Sequence, residues 1–85
     1  MPFSIGGNMK SLHTTRQEKF CMLLRHARKK TGLTQEELGK RLGKYKTFVS
    51  KYESGEREIT VLELIDIAEV LNVDPLSILK AVMAK

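Results

Sequence analysis

The sequence predicts an all-α fold in which five short helices form one small domain. Apolar residues recur at spacings of three and four, and no segment alternates apolar and polar residues as a half-buried strand would. Three Thr-x-x-Glu capping boxes mark helix starts at Thr15, Thr34 and Thr60. A chain of 85 residues buries only about 60% of its unfolded surface, which supports one modest core.

The same signals delimit the first, fourth and fifth helices. The first ends before Gly32, the fourth begins after Thr60 and ends at Asn72, and Asp74 with Pro75 starts the fifth. The predicted apolar positions are Phe20, Leu23, Leu24 and Ala27 in the first helix, Val61, Leu64, Ile65, Ala68 and Leu71 in the fourth, and Leu76, Ile78, Leu79, Val82 and Met83 in the fifth. The positions expected to face away from the stripe of the fourth helix are Glu63, Asp66, Glu69 and Val70.

Residues 34–55 are the most informative segment, because they predict two short helices joined by a glycine turn. The first of these begins near Gln35 and ends at Gly43, which supplies the conformation that a sharp turn requires. The second extends over about residues 46–53 and ends at Gly55. This arrangement is a helix-turn-helix signature.

At 100° per residue, the second of these helices has two unlike sides. The predicted buried side contains Tyr45, Phe48, Val49 and Tyr52, and the outward side contains Thr47, Ser50, Lys51 and Ser54. A small, polar and basic surface fits the major groove of B-DNA, where Lys, Ser and Thr contact base edges. For Phe48 two roles are open, packing at the edge of the core or stacking against a nucleotide.

Charge is segregated along the chain. Residues 10–51 contain twelve Lys or Arg and three acids, whereas residues 53–85 contain seven acids and three Lys or Arg. A positive region around the helix pair is what phosphate neutralisation requires, so charge favours DNA binding. The alternative is an amphipathic helical hairpin that serves packing alone.

Residues 1–13 predict a flexible arm that precedes a domain of residues 14–85. The arm has one proline, two glycines and little apolar periodicity. It is either a disordered tail or a basic arm that enters a DNA minor groove, for which only Lys10 and His13 are available. Met9 is a second candidate start beside Met1.

Three segments match a known family: LTQEELGKRLG, VSKYESGER and LIDIAEVLNVDP. Through them, residues 23–83 resemble the Xre family of bacterial and phage regulators, which includes the lambda and 434 repressors and Cro. The segments look like this family's second helix, its recognition helix with the following loop, and its fourth helix leading into the fifth. The resemblance implies a compact lambda-repressor-like bundle that binds specific double-stranded DNA and regulates transcription.

The resemblance also implies the roles of individual residues. The implied base contacts are Lys46, Thr47, Ser50 and Lys51, and the implied phosphate contacts are Gln35, Lys44 and Ser54. Gln35 stands at a helix N-terminus, where free N–H groups favour an anion. Lys46 has two open roles, base or phosphate contact, because Gln or Ser is commoner at this position, and Tyr45 before it is a poor N-cap.

In this family an arginine late in the first helix pairs with a glutamate at the end of the recognition helix. By position these are Arg28 and Glu53. The resemblance therefore implies a structural ion pair, which removes an acid from the DNA-facing surface and holds the recognition helix in place.

The fifth helix is apolar over a wide arc, which has two interpretations. It mediates a homodimer on a two-fold operator, or it closes the core of the monomer. A different function for the same fold is a protein-interaction module, as in antitoxins of this family, which bind toxins.

Other classes lack support in the sequence. There is no phosphate-binding loop or catalytic motif, so we expect no enzyme and no cofactor. His13, His26 and Cys21 lack ligand spacing, so we expect no metal site. A single cysteine excludes an intrachain disulfide, and no segment suits secretion or membrane insertion. We therefore expect a cytoplasmic protein without a membrane partner.

Overall fold

The computed structural model describes residues 16–84, and these residues form five α-helices. They are α1 (Glu18–Thr31), α2 (Gln35–Leu42), α3 (Phe48–Ser54), α4 (Val61–Leu71) and α5 (Pro75–Met83). The all-α, five-helix prediction is confirmed. The predicted arm of residues 1–13, the capping box at Thr15 and the choice between Met1 and Met9 lie outside the described residues.

Local side-chain hydrogen bonds start three of the helices. In α2 the Glu37 N–H donates to Oγ1 of Thr34 at 3.0 Å, and the Thr34 N–H donates to Oε1 of Glu37 at 2.9 Å. The same reciprocal pair starts α4 at Thr60. Oδ1 of Asp74 accepts from the Leu76 N–H at 2.9 Å at the start of α5. These predicted caps are confirmed, because each depends only on neighbours within three residues.

Glycines in the left-handed backbone conformation end both α2 and α3. Gly43 ends α2 with φ +69°, and Gly55 ends α3 with φ +85°. Residues with a side chain rarely adopt these backbone angles, which explains why glycine occupies both positions. The Lys44 N–H donates to the Gly39 carbonyl at 3.0 Å, so the turn folds back onto α2.

One core lies at the centre of the five helices. Its buried residues are Leu24, Ala27, Leu38, Phe48, Val49, Tyr52, Leu64, Ile67, Leu71 and Ile78. α3 packs against α1 and α2, α4 packs against α2, and α5 packs against α1. With seven residues, α3 is too short to be stable in isolation, so its position depends on this packing.

The expected boundary and buried side of the third helix need correction. α3 begins at Phe48 and not near Lys46, and Tyr45 is 49% exposed. Tyr45 lies in the turn, where helical periodicity does not determine direction. Its ring instead contacts the ring of Phe48 edge to face, with centroids 5.8 Å apart.

The predicted stripe of α4 is also partly wrong. Val61 and Ile65 are exposed, whereas Ile67 is fully buried and Val70 packs against the core. Most residues of α4 are apolar, so periodicity alone does not select its buried side. In α5, Ile78 is buried, while Leu76, Leu79 and Met83 are exposed.

We expect opposite effects on stability when alanine replaces the glycine within α2 and the glycine that ends it. A Cβ at Gly39 would lie 3.6 Å from the Tyr45 carbonyl oxygen, which is ordinary contact, so Gly39→Ala should stabilise the protein by up to about 1 kcal/mol. Gly43→Ala should destabilise it by about 1 kcal/mol or more, because φ is +69° there. Urea unfolding measures both effects, and a destabilised Gly39→Ala protein would contradict the spacing between Gly39 and its neighbours Tyr45 and Val49.

Candidate nucleic-acid interface

The outward side of α3 is polar and carries no acid. Thr47 and Lys51 are exposed and Ser50 is half-buried, while Lys46 is exposed in the turn directly before α3. The Ser50 hydroxyl donates to the Thr47 carbonyl at 3.1 Å, which fixes its direction. The structure therefore brings the four predicted base-contact residues to the start and outward side of one short helix.

Ser54 stands at the end of this surface. Its hydroxyl lies 3.0 Å from the Lys51 carbonyl oxygen and 3.2 Å from Oε2 of Glu56. A carboxylate beside Ser54 disfavours a phosphate there, unless Glu56 turns away into solvent. Glu56 lies beyond the end of α3, so helical periodicity does not indicate this neighbour.

Aromatic residues anchor the opposite side of α3. Phe48 is fully buried, and its ring centroid lies 5.3 Å from that of Tyr52. Lys44 Nζ and Arg57 Cζ lie 5.2 and 4.8 Å from the Phe48 centroid. Phe48 is thus a core residue, and its burial leaves no surface for stacking on a nucleotide.

Glu53 is the only acid of α3, and its side chain is fully buried. Arg28 donates from Nε to Oε2 at 2.7 Å and from Nη2 to Oε1 at 3.1 Å, and it also donates to the Leu33 carbonyl at 2.8 Å. The hydrogen bond to Glu53 raises the pKa of Arg28. The bidentate pair connects α1 to the end of α3.

Gln35 also binds this carboxylate. Its Nε2 donates to Oε1 of Glu53 at 2.8 Å, so the first residue of α2 is tied to the end of α3. An amide nitrogen has two hydrogens, and one remains for another acceptor. Local spacing indicates no contact between Gln35, an expected phosphate ligand, and Glu53, because the two residues are 18 positions apart.

A second ionic cluster lies beside the turn. Glu63 accepts from Arg57 at 2.9 and 3.1 Å and from Nζ of Lys44 at 3.1 Å. The Arg57 hydrogen bonds and the Thr60 N–H together lower the pKa of Glu63 to about 2. Glu63 was expected only to face away from the core, and its position in the sequence does not indicate these partners. One of them is Lys44, which Glu63 holds at the turn.

The described residues contain no further candidate for a reactive or metal-binding site. Cys21 is buried, its Sγ lies 3.2 Å from the Tyr52 carbonyl, and burial raises the pKa of its thiol. Within residues 16–84 no cluster of His, Cys, Asp or Glu could hold a metal ion. No helix in this part of the chain is long and apolar enough to cross a membrane.

The helix pair, its glycine turn and the acid-free outward side of α3 define a helix-turn-helix DNA-binding domain. A family model described as helix-turn-helix matches residues 24–78. The solved structure of an XRE-family like protein from Pseudomonas syringae pv. tomato str. DC3000 is similar, with 37% identity and a TM-score of 0.80 over 88% of this chain and 92% of that chain. No curated protein matches.

The chain therefore belongs to the Xre family of helix-turn-helix proteins. The predicted resemblance and the lambda-repressor-like fold are confirmed. The family is a DNA-binding, non-enzymatic one, which agrees with the expectation that the chain is not an enzyme.

Removal of the Glu53 carboxylate should destabilise the fold strongly. Glu53→Ala leaves the Arg28 charge buried without its partner, which should lower the free energy of unfolding by about 3 to 5 kcal/mol. Glu69→Ala is the matched control, because Glu69 is an exposed acid on α4, and it should change stability by less than about 0.5 kcal/mol. Urea unfolding of both variants checks this, and equal stabilities would contradict the structural role of Glu53.

Proposed function

We propose that the protein is a sequence-specific regulator of transcription that places α3 in the major groove of double-stranded DNA. The observation that carries this proposal is the distribution of charge on α3. Its only acid is buried and paired with Arg28, while its outward side presents hydroxyls and Lys51. A surface without carboxylates can approach phosphates closely, and its side chains suit base edges.

Base contact is proposed for Lys46, Thr47, Ser50 and Lys51. Lys51 is exposed in the middle of α3 and suits the O6 and N7 acceptors of guanine, while the methyl group of Thr47 suits that of thymine. Lys46 precedes the helix, where base and phosphate contacts are both within the range of a long side chain. These assignments favour a guanine in each half-site.

Phosphate contact is proposed for Gln35, Lys44 and Ser54, and at Ser54 it requires the Glu56 carboxylate to turn away from the hydroxyl. Gln35 retains one amide hydrogen and stands at the start of α2, whose first N–H groups have no partner within the helix. Lys44 is tethered to Glu63, whose charge the bidentate Arg57 already compensates, so the ammonium retains attraction for a phosphate. Such contacts orient the protein without distinguishing sequences.

A homodimer through α5 is part of the proposal. Leu76, Leu79 and Met83 recur at spacings of three and four, and all three are exposed on one side of α5. An apolar stripe of this kind is suited to a second copy, and two copies would place two α3 helices on the half-sites of a two-fold operator.

Selection of bound sequences from random DNA tests the whole proposal, and we expect a palindrome.

The second candidate function is binding of a different protein, such as a toxin, by the same exposed stripe of α5. Salt dependence separates the two functions. DNA affinity should fall by orders of magnitude between about 50 and 200 mM salt when several phosphates are bound. A contact dominated by apolar side chains should change much less over this range.

We expect Lys51→Ala and Gln35→Ala to affect DNA binding differently. Loss of Lys51 should reduce the preference for the selected sequence over random DNA by about 1 to 3 kcal/mol. Loss of Gln35 should weaken both DNAs to a similar degree. Titration of both duplexes with each variant measures the ratio.

Lys30→Ala is the control for these variants, because Lys30 lines the groove between α1 and α5 and not the α3 surface. It should preserve the preference for the selected sequence. If Lys51→Ala and Gln35→Ala bind both duplexes as Lys30→Ala does, the proposed surface is wrong.

Leu76→Glu should dissociate the proposed dimer. Leu76 is 61% exposed near the start of α5, where a carboxylate is compatible with the helix but not with an apolar interface. The dimer dissociation constant should rise at least about tenfold, measured by analytical ultracentrifugation. Met22→Glu is the control, since Met22 is 60% exposed on α1, and an equal effect of both variants would contradict an interface on α5.

A further inference from the structure

Arg25 is the second arginine at the Glu53 carboxylate, and nothing in the proposed interface uses it. Its Nε lies 3.5 Å from Oε1 of Glu53, compared with 2.7 Å for the closest contact of Arg28. A separation of 3.5 Å is long for a hydrogen bond, and the Arg25 side chain is 49% exposed. Arg25 is therefore held loosely, whereas Arg28 is held firmly.

The two ionic clusters of the domain share this arrangement. In each, one carboxylate binds one arginine through two N–H groups and a second cation through a single contact. The singly bound cations are Arg25 at Glu53 and Lys44 at Glu63. One carboxylate compensates one positive charge, so each cluster retains surplus positive charge. At Glu53 the exposed cation is Arg25, whose side chain is 49% exposed compared with 10% for Arg28.

The position of Arg25 shows where this charge is available. Its Nε lies 3.5 Å and the Gln35 Nε2 lies 2.8 Å from the same oxygen, Oε1 of Glu53, so the two groups are near neighbours. Gln35 begins α2, where the proposed function places a DNA phosphate. In the described part of the chain, Glu53 is the only carboxylate within 4 Å of the Arg25 guanidinium nitrogens.

We propose that Arg25 binds a DNA backbone phosphate beside Gln35 and exchanges its weak contact with Glu53 for that phosphate. Glu53 keeps its hydrogen bonds from Arg28 and Gln35, so the exchange leaves no buried charge unpaired. A guanidinium suits a phosphate because it donates two parallel hydrogen bonds. The inference rests on the proposed function and adds α1 to the surface that contacts DNA.

The salt dependence of binding tests this inference. The probe is a duplex of random sequence, because phosphate contacts do not depend on sequence, and the variants are Arg25→Gln, Arg25→Lys and Lys30→Gln. Each phosphate contact contributes about 0.9 to the slope of log affinity against log salt concentration. Arg25→Gln should reduce the slope by about this amount, while Arg25→Lys and Lys30→Gln should retain the wild-type slope.

Thermal unfolding separates a DNA contact from a structural role. Because Glu53 keeps two partners, Arg25→Gln should retain the wild-type unfolding midpoint. A lowered midpoint, or a wild-type slope in Arg25→Gln while the wild-type protein binds DNA in a salt-dependent way, would overturn the role of Arg25 alone. Absence of salt-dependent binding by the wild-type protein would overturn the proposed function itself.

Discussion

The buried carboxylate of Glu53 is the constraint on which the helix-turn-helix unit depends. A charge without solvent is tolerated only when hydrogen bonds satisfy it, and here Arg28 and Gln35 supply three. These donors come from α1 and from the start of α2, while the acceptor stands at the end of α3. Any rotation of α3 that exposed its buried side would break this network, so the ionic cluster fixes which side of α3 faces outward.

The ionic clusters also alter the electrostatics that the sequence suggests. Along the chain the positive charge lies in residues 10–51 and the negative charge mainly after them. In the folded domain, Glu53 and Glu63 from the acidic half pair with Arg28 and Lys44 from the basic half. Part of the basic excess is therefore used internally. The charge left to attract DNA lies on exposed cations such as Lys46 and Lys51 and on the loosely held members of these clusters.

The core and the ionic clusters hold α3 by different means. Phe48, Val49 and Tyr52 exclude water from one side of the helix, which supplies non-directional stabilisation. The hydroxyl of Tyr52 has no hydrogen-bond partner among the described residues, and burial raises its pKa. Glu53 adds direction to this packing. A helix of seven residues requires both, because its own hydrogen bonds are too few to maintain it.

The sequence by itself determined most of the helix limits and most of the core. The caps at Thr34, Thr60 and Asp74 and the left-handed stops at Gly43 and Gly55 depend on atoms within a few residues, so local pattern sufficed. Periodicity did not predict the buried side where a residue lies outside a helix or where a helix is apolar on more than one side. Tyr45 lies outside the helix, and α4 has apolar residues on several sides.

Only the tertiary structure decided how the polar residues are paired. Arg28 and Glu53 are 25 positions apart, and Lys44 and Glu63 are 19 apart. The resemblance named the first pair, but neither it nor local spacing indicated that Gln35 and Arg25 converge on the same carboxylate. Hydrogen-bond geometry depends on ångström-scale positions that helix packing sets, and a sequence pattern does not contain them. The structure thus shows which of the basic and amide side chains are held firmly and which are held loosely.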